Sequence, residues 1–131
     1  MVWPLLAGLA FGGATIGVLR ATSMDRDRAT GPILLAAIAL FYPVFAIEHR
    51  DAAEITLHVA TALAFLATAV IGHARGLILV AVAIIGHGLF DLAAHMLSDG
   101  PAPRWWGPFC LGVDVVLGAW LLMAQPWRSN G

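Results

Sequence analysis

Three ionisable residues lie one helical turn apart in an otherwise apolar stretch: His87-Gly-Leu-Phe-Asp91-Leu-Ala-Ala-His95. Residues four apart share a helix face, so His87 with Asp91, or Asp91 with His95, can each present two ligands to one ion. Imidazole and carboxylate together suit zinc or non-haem iron, and a catalytic centre keeps one position open for water. The same groups can also work without metal, because chains of Asp and His carry protons in membrane proteins. His87 and His95 are eight residues apart, about 12 Å along a helix axis, so a regular helix cannot bring both to one ion. Further ligands or bases must come from other elements. Glu54 with His58, and Cys110 with Asp114, repeat the spacing of four.

The elements that position these groups read as membrane spans. The chain has 131 residues, 60% hydrophobic and 11% charged, far from the balance of a soluble domain. About 20 mostly apolar residues cross a bilayer. Five such stretches occur, at 2–19, 32–47, 55–72, 77–97 and 108–124, so we expect an all-α polytopic helical bundle forming one integral membrane domain over 1–131. Pro32 suits a helix start, and Pro43 should kink the second span. No basic residue precedes the first span, so it reads as a retained span and not a cleaved leader. A bacterial inner (cytoplasmic) membrane is the expected location.

Arginines set the orientation. With the N-terminus outside, the inner loops and tail hold Arg20, Arg26, Arg28, Arg75 and Arg128, against Arg50 and Arg104 outside. This gives N-out, C-in. Trp3, Trp105 and Trp106 then fall at the outer interface and Trp127 at the inner one, as an aromatic belt requires. A rise of about 1.5 Å per residue puts Asp91 and Asp114 each about 9 Å below the outer surface and His58 about 6 Å below it. Glu54 and His95 lie above that layer and His87 below it. Helices placed independently thus carry their deep ionisable groups to one depth, which predicts a polar pocket in the outer half of the membrane.

Composition narrows the function. The net charge of −1 gives no reason to expect nucleic-acid binding. All seven basic residues are arginine, which rules out a lysine Schiff base. A single cysteine, Cys110, precludes an intrachain disulfide. Gly8, Gly12, Gly13 and Gly17 form two small-xxx-small pairs in the first span. These serve packing within the chain or a homo-oligomer contact.

The run His87-x3-Asp91-x3-His95, then Pro103-Arg-Trp105-Trp106-Gly-Pro108-Phe-Cys110-x3-Asp114 and Trp120, resembles the small membrane proteins grouped as domain of unknown function 6010. The resemblance covers Ile85 to Trp120 and is weaker over the first half. It implies that Glu54, His87, Asp91, His95 and Asp114 belong to one shared site, and it supplies no activity. A more distant similarity is to membrane hydrolases of the alkaline ceramidase and adiponectin-receptor type, which hold zinc through histidines near one membrane face.

The leading expectation is an intramembrane metal-dependent hydrolase acting on a lipid or amphiphile. Its candidate zinc or iron ligands are His87, Asp91, His95 and His58. Asp91, Asp114 and Glu54 are its candidate catalytic carboxylates. The alternatives are a proton-relay or transport module, and a structural subunit in which the cluster clasps helices together. Transport across the whole bilayer is disfavoured, because the inner halves of the last three spans carry no ionisable residue before His73 and Arg75.

Overall fold

A computed structural model of the chain describes residues 2–49, 51–97 and 103–128, without the side chains of 49, 95, 97 and 125–128. The long helices are α1 (Val2–Ala21), α2 (Thr30–Ala39), α3 (Phe41–His49), α4 (Ala52–Arg75), α5 (Leu77–Leu97) and α6 (Trp106–Arg128). Among the described residues there is no strand. Five segments are long and apolar enough to cross a membrane, with α2 and α3 together making the second. The all-α bundle of five spans is therefore the observed architecture.

Helix ends run two to four residues past most of the apolar stretches, because polar flanks extend the backbone ladder without adding hydrophobicity. The second span is two helices broken at Leu40. Pro43 supplies no N–H, and its ring crowds the carbonyl four residues earlier, at Ala39. The turn at Leu40 relieves this with a short bond from Leu40 N–H to the Ala37 carbonyl (3.3 Å). Helix α4 starts at a side-chain cap: Asp51 Oδ1 accepts from Ala53 N–H (2.9 Å) and Glu54 N–H (3.2 Å).

The helices pack in the order α1, α6, α5, α4, with α2 bridging α4 and α5 and α3 lying against α4. Where hydrocarbon surrounds every helix, hydrophobicity gives no preference for helix over lipid, so close backbone approach decides the contacts. Glycines provide it. Gly8 faces the Phe109 carbonyl, Gly12 faces Val113 and Val116, and Gly112 faces the backbone of Leu5, Leu9 and Gly8. This seam holds α1 parallel to α6. Gly118 against Ala81 and Ile85, and Gly88 against Asp114, close α5 onto α6 antiparallel. The buried apolar core, Leu35, Ala69, Leu77, Val80, Ala81, Ile84, Val113, Leu117 and Leu121, fills the arginine-rich half.

The two glycine pairs of α1 thus divide. Gly8 and Gly12 are buried against α6, whereas Gly13 and Gly17 meet nothing within 4 Å.

Candidate functional site

The site forms where α5 and α6 cross. His87 and Asp91 lie one turn apart on the face of α5 turned to α6, and Asp114 meets them from α6. His87 Nδ1 stands 3.1 Å from Asp114 Oδ2 and 3.3 Å from Asp91 Oδ2. All three residues are buried, at 2%, 0% and 1% exposure. They can offer one ligand atom each with every pair of these within 4.8 Å.

Gly88 makes the approach possible. A Cβ there would lie 2.9 Å from Asp114 Cβ, so only glycine lets α6 come this close beside His87. Phe65 packs its edge on the His87 ring at 4.8 Å between centroids, and Phe90 lies 6.2 Å away. The Cys110 thiol, one turn before Asp114, is buried beside Asp91.

Hydrogen bonding within this cluster is incomplete. One imidazole Nδ1 faces two carboxylates, and its single hydrogen can point at only one of them. The aligned bond is the one to Asp114. Among the described residues Asp114 Oδ1 is buried without a hydrogen-bond partner, and the Asp91 oxygens make no aligned bond, having only the 3.3 Å approach of His87 and the neighbouring Cys110 thiol. Leaving a buried acceptor unpaired costs about 1–3 kcal/mol, and more when it is charged. A compact, apolar-walled site with such oxygens calls for either a cation or additional protons.

A second pair lies above. His58 Nε2 is 3.1 Å from Glu54 Oε2, with the Glu54 side chain 28% exposed and the His58 side chain 2%. Tyr42 stacks on the His58 ring at 4.9 Å with planes 17° apart. His58 Nδ1 is buried without a hydrogen-bond partner among the described residues. Phe90 touches both rings, at 6.0 Å from His58 and 6.1 Å from Tyr42. Phe90 thereby stands between the Glu54–His58 pair and the His87 cluster. The polar groups form a descending series from a half-exposed glutamate to a buried carboxylate pair.

Of the expected site residues, His87, Asp91 and Asp114 come together directly, and Glu54 and His58 pair beside them. The His95 side chain lies outside the described residues, as does that of Trp127. Among the outer tryptophans, Trp3 and Trp105 are exposed, but Trp106 turns inward. It packs against Phe41, Phe45 and Phe109, with its indole N–H buried and without a partner among the described residues. Placing Trp106 by depth alone did not give this inward packing.

Gly88 and Phe90 were also missed as site-forming residues. The glycine directly after His87 was the available signal, since a glycine inside a helix is unfavourable unless a neighbour needs the room. Protein-family models, curated proteins and solved structures give no match to this chain. The reading therefore rests on the geometry.

Proposed function

We propose that this is an integral membrane protein holding one divalent metal ion, zinc or iron, through His87, Asp91 and Asp114, and using it to hydrolyse a lipid or amphiphile. The observation that supports the reading is the buried convergence of two carboxylates on one imidazole nitrogen, with ligand atoms of all three residues within 4.8 Å of one another. Two carboxylates and a neutral imidazole carry two negative charges, which a divalent cation balances. The 3.1 and 3.3 Å separations match the edge of a tetrahedron with arms of about 2.0 Å. Three protein ligands leave one position for water, the arrangement of catalytic zinc sites. A metal there would lower the pKa of a bound water toward neutrality. Glu54 and His58, on the more exposed side, supply a proton acceptor near the site, separated from the cluster by the Phe90 ring. On this reading the resemblance to domain of unknown function 6010 marks a shared metal centre.

Protein stripped with chelator and reloaded should hold about one zinc or iron per chain. His87→Ala and Asp91→Ala should hold none, and mixed lipid vesicles should yield hydrolysis products only with loaded protein. Absence of bound metal after reloading overturns the proposal. Metal without lipid turnover overturns its hydrolytic part.

The Glu54–His58 pair favours a second reading, in which protons and not a metal balance the carboxylates and the series works as a relay. It requires proton movement in liposomes that Glu54→Gln slows and chelation leaves unchanged.

A further inference from the structure

A groove of about 340 Å³ runs between α2 and α4 in the arginine-rich half. Its walls are Pro32, Ile33, Ala36, Leu66 and Val70, with His73 at its end. Ile33 and Val70 are 65% and 71% exposed, so the groove opens toward lipid. From Ala29 to Ala36 it extends about 10 Å along the helix axis. Apart from His73 the lining offers nothing to a polar ligand, and it suits hydrocarbon.

Charge is concentrated at the mouth. Arg28 Nη2 donates to the His73 carbonyl at 2.8 Å, which ties the start of α2 to the end of α4 and holds the guanidinium over the groove. The loop beneath is fixed: Thr30 Oγ1 donates to the Met24 carbonyl at 2.6 Å, and Asp27 Oδ1 accepts from Ala29 N–H at 2.8 Å. Arg20, Arg26 and Arg75 are exposed at the same end. Asp25 and Asp27 oppose them, so the loop between α1 and α2, with Arg20 and Arg75 beside it, carries two net positive charges from four arginines and two aspartates. A guanidinium presents five N–H donors in a fork that matches phosphate oxygens, and Arg28 uses one on His73.

We infer that this groove binds a phospholipid with a net-negative headgroup, one acyl chain lying between α2 and α4 and the phosphate on Arg28. Hydrocarbon lining below and a fixed arginine above fit one molecule carrying both parts. The positive-inside rule puts this end at the cytoplasmic leaflet, where anionic lipids attract basic residues. The groove shares no lining residue with the His87, Asp91 and Asp114 cluster: Leu66 faces the groove, whereas its neighbour Phe65 packs on the His87 ring at the groove's upper end.

The test is lipid retention by native mass spectrometry after release from nanodiscs of equal phosphatidylglycerol and phosphatidylcholine. The protein should keep phosphatidylglycerol in preference by about fivefold, the share expected of one well-placed arginine. Arg28→Gln should bring the ratio near one. Ala36→Trp, which fills the groove and keeps the arginine, should reduce retained lipid of both kinds. Equal retention of the two lipids by the unmodified protein, an unchanged preference in Arg28→Gln, or undiminished retention in Ala36→Trp overturns the inference. Displacement of the lipid by inorganic phosphate alone would reassign the mouth to a free anion and overturn it as well.

Discussion

Gly88→Ala tests the link between helix packing and the site. The added Cβ would sit 2.9 Å from Asp114 Cβ, whereas ordinary contact begins at 3.4 Å, so α6 must retreat by about 0.5 Å. Asp114 moves with it. The His87 Nδ1–Asp114 Oδ2 distance then grows from 3.1 Å to about 3.6 Å, beyond hydrogen-bond range. Metal sites tolerate roughly 0.2 Å of ligand displacement, so the centre should fail. Stability should change less. Overpacking costs about 1–3 kcal/mol, and replacing a helical glycine by alanine returns up to about 1 kcal/mol. The net loss is about 0–3 kcal/mol, and the chain stays folded. Gly86→Ala is the control, because nothing lies within 4 Å of a Cβ there. Metal stoichiometry after reloading and thermal unfolding in detergent are the assays. If Gly88→Ala binds metal like the unmodified protein and melts with Gly86→Ala, the close approach of α5 and α6 is not what builds the site.

Three further outcomes are expected. Asp91→Asn in chelator should be at least as stable as the unmodified protein, since it removes a buried carboxylate that makes no aligned bond. With metal at 100 times its Kd only the unmodified protein should gain stability, by about 2.7 kcal/mol, as calorimetry would show. Gly112→Ala places a Cβ 2.6 Å from the Leu5 carbonyl and 2.8 Å from Leu9 N, both backbone. It should cost about 1–3 kcal/mol by loosening α1, while metal content stays unchanged. Asp51→Ala removes the α4 cap and should cost about 1 kcal/mol in thermal unfolding.

The layout of spans was legible because each is a run of apolar residues bounded by charges, and α5 begins and ends where its run does. Asp91 and Asp114 were legible as neighbours because helical rise converts sequence position into depth. Rotation about each helix axis was not legible, since depth says nothing of azimuth. Hence neither the turn of His87 toward Asp114 nor the inward face of Trp106 could be read. The division of the α1 glycines into a packed pair and an outward pair was hidden for the same reason. The break at Leu40 was half legible: Pro43 announced a kink, but its place depended on which carbonyl the ring displaces.

The glycine seam joining α1 to α6 has a consequence for biogenesis. Helix α1 is the first span made and α6 the last of the five, and α6 is the helix on which α1 packs. Until α6 enters the bilayer, α1 has hydrocarbon where Gly8 and Gly12 will later meet their partner. The same late helix delivers Asp114. Docking of α1 and completion of the polar cluster are therefore a single event that waits for α6, and a nascent chain lacking α6 has neither.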